Sequence, residues 1–367
     1  MKISCEREKF SHPFQLAASV AASKDVKPVL QNVKMTIAKK GVLLQATDTE
    51  IGIRLSLDGC ENLDKGEAVL PAKQIKKILQ ESGSESKLLI ESEKEKVLVS
   101  MGKDRFSFPT QSVDEFPDVE DFNETSYHEV SVKVLREVIR RTVFAIDMES
   151  NRYSLGGVLL EFVEDKICGV GTDGRRLAFQ EGVATCVGDH KAEGTIFPPK
   201  ALQILDRALG EDDDTVQVAV SANRGLFRCG NVVFFTRLIE GRFPAWRRIV
   251  PETEGKIQID ILAGALLSAV RKAAIVTSDR EPGVIFSFSS GQLVLHGQGG
   301  ELGESNIEVP IAYSGADQQV KLNPDFFTDY LRVLEGDKNL SIYIESEGDP
   351  IHIRTDDSYI YVVMPMS

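Results

Sequence analysis

The sequence predicts an α+β fold in which one unit of about 120 residues occurs three times. The first observation behind this prediction is an apolar helical segment that follows a proline. It occurs as LPAKQIKKIL from Leu70, FPPKALQILDRAL from Phe197 and LNPDFFTDYLRVL from Leu322, so successive copies start 127 and 125 residues apart. Proline suits the start of a helix, where its missing N–H is no loss. The three segments are therefore predicted helices at equivalent places in a repeat.

The strand patterns give the second and third observations. VKMTIAKKGVLLQATDTE from Val33 and VLLEFVEDKICGVGTDGR from Val158 both run strand, polar turn, strand and Thr-Asp, 125 residues apart. VIFSFSSGQLVLHG from Val284 has the same alternation without Thr-Asp. Pro117 in DRFSFPTQSVDEFPDV and Pro244 in NVVFFTRLIEGRFPAW are again 127 residues apart. Alternation of this kind predicts antiparallel hairpins.

An amphipathic helix is expected at the start of each copy. In the second copy apolar positions recur at helical spacing on one face (Leu135, Val138, Ile139 and Thr142), and basic residues share another face (Lys133, Arg136 and Arg140). The unit therefore reads helix, strands, helix, strands. Short acidic linkers, EDFNET near 120–125 and PETEG at 251–255, divide the chain into predicted domains 1–122, 128–250 and 256–367.

Composition limits the class of protein. A chain of 367 residues exceeds the size of one hydrophobic core, and 42% apolar residues suffice for several cores. No run of 18 apolar residues occurs, and the N-terminal MKISCEREKF carries charges where a signal peptide needs an apolar segment. Five scattered cysteines without a CxxC pair indicate reduced thiols. We therefore expect a cytoplasmic protein with no membrane association.

The net charge of −13 argues against a protein whose whole surface grips nucleic acid. Affinity for DNA comes largely from cations that neutralise phosphates, and an acidic surface repels them. A DNA-binding role would require basic residues gathered on one face, with the acidic residues elsewhere.

Motifs that could carry catalysis are weak. GVGTDG at 169–174 matches GxGxxG, but the RRLAFQEG that follows alternates like a strand, whereas a dinucleotide-binding loop opens a helix. The five histidines lack metal-ligand spacing, and HGQGG at 296–300 has no GxSxG nucleophile to serve. We expect a non-enzymatic protein with no cofactor and no metal. A nucleotide-dependent enzyme stays as an alternative, which calorimetry with NAD or ATP would test.

Basic residues gather on one face of two of the predicted helices. Lysines lie opposite the apolar face of the helix after Pro71 (Lys73, Lys76 and Lys77), and two basic residues seven apart share a face of the corresponding helix in the second copy (Lys200 and Arg207). A single such face is usually only solvated, but the same sidedness in several helices favours a shared basic surface. The third copy differs, because Asp325 and Asp329 stand in its helix.

The last residues, YVVMPMS at 361–367, are apolar although chain ends are usually polar. They predict a strand from Tyr361 to Met364 that Pro365 stops, with Met366 beyond it. Two interpretations remain open. The segment is either the closing strand of a sheet or an apolar surface for a partner, since methionine suits adaptable binding surfaces.

The threefold unit, TDGRRLAF at 172–179, EGRFPAWRRIVP at 240–251 and YVVMPM together resemble the bacterial sliding clamps, the beta subunits of DNA polymerase III. The resemblance covers the whole chain. It implies that each repeat is a clamp domain of two helices on antiparallel sheets, and that two protomers join head to tail into a ring around double-stranded DNA, independent of base sequence. It also implies partners that insert a short peptide: the polymerase III catalytic subunit, the clamp loader and other proteins.

The resemblance assigns residues to three surfaces. Those facing DNA are Lys24, Lys73 and Lys200, supported by Lys76, Lys77, Arg136, Arg140 and Arg207. The peptide pocket between the second and third domains comprises Leu155, Thr172, Gly174, Arg176, Leu177, Pro244, Arg248, Ile249, Val362, Met364, Pro365 and Met366. The dimer interface pairs Lys103, Arg105, Phe106 and Phe108 with Ile275, Val276, Glu301 and Glu304. Ser154 replaces an aromatic residue common in the family. The alternative of another class is a peptide-binding repeat scaffold that never encircles DNA.

Overall fold

The fold was analysed in a computed structural model. It describes the chain outside residues 24–26, 40, 84–86, 94, 148–152, 193, 213, 222, 251, 254–255, 279–281, 346–347 and 367, and outside the side chains of Tyr153 and Glu301.

The regular elements follow the three repeats of the sequence. The first repeat contains β1 (Lys2–Glu6), α1 (Arg7–Val20), β2 (Asn32–Ala38), β3 (Gly41–Thr47), β4 (Ile51–Leu57), β5 (Glu61–Asp64), β6 (Gly66–Pro71), α2 (Ala72–Glu81), β7 (Lys87–Glu93), β8 (Lys96–Met101) and β9 (Asp104–Pro109). The second contains β10 (Tyr127–Ser131), α3 (Val132–Thr142), β11 (Val158–Val163), β12 (Lys166–Thr172), β13 (Arg176–Val187), β14 (Thr195–Phe197), α4 (Pro199–Ala208), β15 (Thr215–Ser221), β16 (Arg224–Cys229) and β17 (Val232–Arg237). The third contains β18 (Ile257–Leu262), α5 (Ala263–Ala273), β19 (Val284–Ser289), β20 (Gln292–Gly299), β21 (Gly303–Pro310), β22 (Gln318–Leu322), α6 (Pro324–Arg332), β23 (Asn339–Ile344), β24 (Ile351–Arg354) and β25 (Tyr359–Val363).

The predicted α+β class and the three proline-introduced helices are confirmed. Pro71 is the N-cap of α2, and Pro199 and Pro324 occupy the first position of α4 and α6. At α6 the Asn323 side chain also accepts a hydrogen bond from the backbone N–H of Asp325, at 2.9 Å. An N-cap of this kind satisfies one of the donors that a helix start leaves open.

The prediction that each copy starts with a helix is wrong. A short strand comes first in every repeat: β1, β10 and β18 precede α1, α3 and α5. These strands are five or six residues long. A segment of that length shows too few periods for alternation to stand out beside the strong helical period that follows it.

One compact unit comprises residues 1–133, 184–192 and 200–238. It contains an antiparallel sheet in the order β5-β1-β7-β8-β9, and a second series of antiparallel strands in the order β10-β15-β16-β17-β4-β3-β2-β6. In the second series β17 pairs with β4, so that Val232 lies opposite Leu55. This pairing joins the first repeat to the second.

The other compact unit comprises residues 134–183, 193–199 and 239–367. Its strands run β18-β23-β24-β25-β13-β12-β11-β14 in one series, with residues 176–183 of β13 included, and β21-β20-β19-β22 in a four-stranded sheet. The C-terminal strand β25 pairs with β13 from Arg176 opposite Val363 to Gln180 opposite Tyr359. The last strand of the chain is therefore tied into a ladder, as the closing-strand interpretation requires, although it ends at Val363 rather than Met364.

Two glycine motifs serve packing. GVGTDG forms the end of β12 and the turn to β13, and no helix follows it. A Cβ on Gly171 would lie 2.1 Å from the backbone oxygen of Thr142, and one on Gly299 of HGQGG would lie 1.6 Å from that of Val276. Only glycine permits such close approach of a strand to the turn after a helix. The strand-and-turn interpretation of GVGTDG is confirmed.

His352 on β24 is fully buried, and neither ring nitrogen has a hydrogen-bond partner within the described part of the chain. Burial, together with the positive charges of Lys256 and Arg354, lowers the pKa of His352 from 6.5 to about 4. As the pH falls, His352 therefore becomes protonated in the unfolded chain at a higher pH than in the folded protein. The stability that neutral His352 contributes is complete above pH 6.5 and is lost as the pH falls through 4.

We expect the free energy of unfolding of the wild type to fall more steeply between pH 7 and pH 4.5 than that of His352→Leu. Urea unfolding at several pH values measures both slopes. His12→Leu, at an exposed position of α1, is the control and should keep the wild-type slope. Equal slopes for wild type and His352→Leu would contradict the assignment.

None of the described helices is long and apolar enough to cross a membrane.

Candidate functional site

The turn between β12 and β13 forms one wall of a surface cavity. The Thr172 hydroxyl donates a hydrogen bond to the backbone oxygen of Arg176 at 2.6 Å and accepts one from the N–H of Gly174 at 3.1 Å. Asp173 accepts from the N–H groups of Arg175 and Arg176 at 2.8 and 2.9 Å. Gly174 has φ +88°, which favours glycine. TDGR is thus a turn whose own side chains hold it closed.

Arg176 fixes this turn to the third repeat. Its side chain is 10% exposed and bonds Asp173 at 3.0 Å, Asp329 of α6 at 2.8 Å and the backbone oxygen of Phe144 at 2.9 Å. Its guanidinium also lies 4.5 Å from the ring centroid of Phe326. Three of its five N–H groups are thereby engaged with the protein, so its contribution to the cavity is mainly positional.

Burial opposes the charge on Arg176, but the phenol of Tyr361 and the two carboxylates outweigh it and raise the pKa of Arg176. The guanidinium therefore stays charged, and its ion pairs hold in the folded state.

The C-terminal segment forms the opposite wall. Val362 pairs with Leu177, and the N–H of Met364 donates to the backbone oxygen of Arg175 at 2.8 Å. Beyond Pro365, the N–H of Met366 donates to the backbone oxygen of Lys321 at 2.8 Å. The last methionines are held by backbone hydrogen bonds on both sides of the proline, rather than frayed.

Between these walls lies a cavity of about 50 Å³. It is lined by Thr172, Gly174, Arg175, Arg176, Leu177, Ile249, Val362 and Met364. Leu177 and Val362 are buried at its base, whereas Ile249 and Met364 are 42% and 43% exposed at its rim. An apolar recess with a few polar groups at its edge is the kind of site that anchors a short peptide.

Seven of the twelve residues assigned to the peptide pocket by resemblance line this cavity: Thr172, Gly174, Arg176, Leu177, Ile249, Val362 and Met364. Pro244 and Arg248 line a neighbouring, larger cavity. Leu155 is buried, and its backbone oxygen accepts from the N–H of Asp147 at 3.0 Å. Pro365 and Met366 follow the cavity wall without lining it. Arg175 also lines the cavity but was not predicted as a pocket residue, because the sequence around it does not distinguish it from a solvent-exposed turn residue.

The basic helix faces are exposed to different degrees. Lys73 and Lys77 of α2 are exposed and Lys76 is half-buried, while buried Ile75 and Leu79 face the core. No carboxylate of the described residues lies within ion-pair distance of these three lysines. Lys200 at the start of α4 is exposed but paired, since its Nζ lies 2.6 Å from Asp48 Oδ2. Lys200 would have to exchange this partner to meet a phosphate.

The other basic candidates that the structure describes also lie on helices. Arg207 is exposed on α4, and its Nε donates to the backbone oxygen of Gln203 at 3.2 Å. On α3, Arg136 is half-buried and Arg140 is exposed. Lys24 lies outside the described residues.

Each compact unit also has an edge strand at the residues assigned to the dimer interface, paired on one side only within the described part of the chain. In the first unit β9 is the edge of its sheet; Lys103 precedes it, and Arg105, Phe106 and Phe108 lie on it. Phe106 is 36% exposed and stacks on Phe108 with ring centroids 6.5 Å apart. Exposed apolar edges of this kind favour pairing with another chain.

In the second unit β21 is the edge of the four-stranded sheet, and exposed Glu304 lies on it. Beside it the short helix Ala274–Val276 presents Ile275, which is 75% exposed, next to half-buried Val276. Leu302, which is 61% exposed in the turn before β21, was not predicted as an interface residue. An apolar side chain beside two glycines and a glutamate in GGEL could have indicated it. The side chain of Glu301 lies outside the described part of the chain.

Three family models match nearly the whole chain. They are the DNA polymerase III beta subunit N-terminal domain at residues 1–120, the central domain at 129–245 and the C-terminal domain at 247–367.

Curated relatives and solved structures agree with these matches. A beta sliding clamp from Pseudomonas putida is 28% identical, and one from Escherichia coli K12 is 26% identical, each over 100% of both chains. The crystal structure of the DNA polymerase III subunit beta from Pseudomonas aeruginosa has a TM-score of 0.89 at 27% identity over 100% of both chains. The P. aeruginosa clamp bound to griselimycin gives a TM-score of 0.91 at 28% identity, covering 100% of this chain and 99% of that one.

Proposed function

The chain belongs to the family of DNA polymerase III beta subunits, and we propose that it acts as a sliding clamp, the processivity factor of a replicative polymerase. The observation that carries the proposal is the succession of three family matches along residues 1–367 with only short gaps. The family is that of a non-catalytic subunit of the polymerase, so no reaction is assigned to this chain.

In the proposed arrangement the predicted domains 1–122, 128–250 and 256–367 are three clamp domains, and two protomers form a ring. Its two joints bring β9 of one protomer to β21 of the other. The acidic body then lies outside, and lysines and arginines of the helices face the duplex. Phosphate contacts carry no base-sequence information, which suits a protein that moves over any sequence. Such a protein works in the cytoplasm, where the chromosome of a bacterium lies.

The proposed partner site is the cavity between the Thr172–Arg176 turn and the C-terminal segment. Partners of this class are the polymerase III catalytic subunit, the clamp loader and other proteins that carry a short peptide with a glutamine and two apolar side chains. The buried base and the exposed methionine at the rim support this use, because a flexible thioether adapts to different apolar side chains.

We expect a fluorescent peptide of the type Gln-Leu-x-Leu-Phe to bind with micromolar affinity, roughly −8 kcal/mol. Fluorescence anisotropy with Met364→Ala should show affinity about tenfold lower, because the variant removes an apolar rim side chain. Met366→Ala should have a smaller effect, because Met366 follows the wall without lining it.

Leu262→Ala is the matched control, since Leu262 is a comparably exposed apolar residue of the same unit, at 49%, and does not line the cavity. It should bind like the wild type. Absence of binding by every protein in the series would overturn the peptide site.

A further inference from the structure

A larger cavity is lined by residues 241–248, and the next residue along the chain, Ile249, lines the peptide cavity. Its volume is about 460 Å³, and its walls include Glu161, Arg242, Trp246, Arg247 and Arg248. We call it the arginine pocket. Only Arg248 and Pro244 of its lining were assigned to the peptide site, so most of this pocket has no role in the function proposed above.

The arginine pocket has a net positive charge. Glu161 is neutralised by Arg247, whose Nη2 lies 2.7 Å from Glu161 Oε2. Arg242 and Arg248 are exposed, and neither guanidinium has an ion-pair or hydrogen-bond partner among the described residues. Two uncompensated guanidinium groups on one pocket attract carboxylates, which they can bind with two parallel hydrogen bonds.

The floor of the pocket is an aromatic ring with a spare donor. The Trp246 ring stacks on the ring of Phe179, with centroids 4.8 Å apart, and the guanidinium of Arg247 lies 4.4 Å from the Trp246 centroid. Trp246 is 7% exposed, and its Nε1–H has no acceptor within the described part of the chain. A buried donor without a partner costs free energy until an acceptor or water reaches it.

The two cavities rest on one apolar cluster. Leu159 of the arginine pocket, on β11, packs in the same cluster as Leu177 and Val362 of the peptide cavity. The strands from β11 to β25 are neighbours in the order β11-β12-β13-β25. Leu159 lies one strand from Thr172, two from Leu177 and three from Val362 of the peptide cavity. With strands about 4.8 Å apart, the lining residues of the two cavities are about 5–14 Å apart across the sheet, which an extended peptide spans with up to about four residues.

We propose that the arginine pocket is a second subsite for the same peptide partners, and that it binds acidic side chains about four or five residues away from the apolar anchors. The inference rests on the proposed function, because it needs a peptide in the first cavity. The acidic flank gains affinity from Arg242 and Arg248, whereas the rest of this acidic protein, with net charge −13, repels it. The pocket thereby selects partners and fixes the direction of the bound peptide.

A peptide is favoured over a nucleic acid as the occupant. The pocket neighbours the cavity proposed for the apolar side chains of a peptide, and the Glu161 carboxylate forms part of its wall. A nucleic-acid strand instead needs a continuous basic track with aromatic platforms along it.

The test uses fluorescence anisotropy with four labelled peptides. Each contains Gln-Leu-x-Leu-Phe and a five-residue extension. The extension precedes the motif in two peptides and follows it in the other two, and in each pair its two residues farthest from the motif are Glu-Glu in one peptide and Gln-Gln in the other. For one of the two directions we expect the Glu-Glu peptide to bind the wild type about three- to tenfold more tightly than its Gln-Gln counterpart, and the difference to vanish at 0.5 M salt. The Arg242→Gln variant should bind the Glu-Glu and Gln-Gln peptides of that direction with equal affinity. Arg271→Gln is the matched control, since it removes one positive charge from an exposed position of α5 in the same unit.

The outcomes separate the inference from the function on which it rests. If no peptide binds, the peptide site itself is wrong. If all four bind alike, or if Arg242→Gln keeps the wild-type difference, the second subsite is overturned while the first stands. If a single-stranded oligonucleotide removes the advantage of the Glu-Glu peptide but leaves the Gln-Gln peptide bound, the pocket belongs to nucleic acid and the proposal is wrong.

Discussion

Phe106→Asp is expected to convert the proposed dimer into monomers and to abolish its retention on circular DNA. Phe106 lies on edge strand β9 and stacks on Phe108, so the two rings form one apolar ridge. An aspartate there would have to be buried without a cationic partner when β21 of another protomer pairs with the edge. Leaving a charge uncompensated in a buried contact costs about 3–5 kcal/mol, and a ring contains two such joints.

Multi-angle light scattering at micromolar concentration measures the change directly. The wild type should give twice the mass of the 40.5 kDa chain, and Phe106→Asp should give the mass of one chain. Leu63→Asp is the control, because Leu63 is 47% exposed on β5, the opposite edge of the same sheet. It should stay dimeric. A dimer with Phe106→Asp, or monomers with both variants, would contradict the proposed joint.

Retention on DNA then separates a clamp from a scaffold. After loading by the clamp loader, labelled wild type should stay on nicked circular DNA and leave the same DNA once a restriction enzyme has linearised it. Phe106→Asp should leave both quickly while still binding the Gln-Leu-x-Leu-Phe peptide. Equal release of the wild type from circular and linear DNA would favour the peptide-binding scaffold that does not encircle DNA.

Much of the fold could be predicted because the decisive signals are local. A proline followed by an amphipathic helix needs only about a dozen residues, and α2, α4 and α6 all formed where that pattern predicted. The opening strands β1, β10 and β18 were missed because their identity depends on neighbours far along the chain. β1, for example, lies between β5 and β7, more than fifty residues away.

The candidate site shows the same division. TDGR and the C-terminal strand were recognisable as motifs, but their pairing through Leu177 and Val362 joins residues 185 apart. The family resemblance assigned Arg176 to the pocket without indicating that Asp173, Asp329 and Phe144 hold its guanidinium. Leu159 and Trp246, which link the arginine pocket to the peptide cavity, come together only through tertiary packing.

Gly171→Ala is expected to destabilise the protein strongly, although the same exchange at a position that accepts alanine without strain stabilises a chain by about 0.4–1 kcal/mol through the unfolded state. The added Cβ would lie 2.1 Å from the backbone oxygen of Thr142 and 3.4 Å from Cγ2 of Ile146. Because the close neighbour is backbone, β12 or the end of α3 must move. Overpacking of this kind costs about 1–3 kcal/mol or more. We expect a fall of several degrees in the first thermal transition.

Gly83→Ala is the matched control, because no atom of the described residues beyond its chain neighbours lies within 4 Å of its added Cβ and its backbone is not left-handed. Its thermal transition, measured by calorimetry, should equal or slightly exceed that of the wild type. Gly171 directly precedes Thr172, so displacement of β12 also moves the wall of the peptide cavity, and Gly171→Ala should bind the Gln-Leu-x-Leu-Phe peptide more weakly. Equal transitions and equal affinities for the two variants would mean that the close approach of β12 to α3 is not needed. A loss of stability with full peptide affinity would mean that the helix end, rather than the strand that bears the turn, gives way.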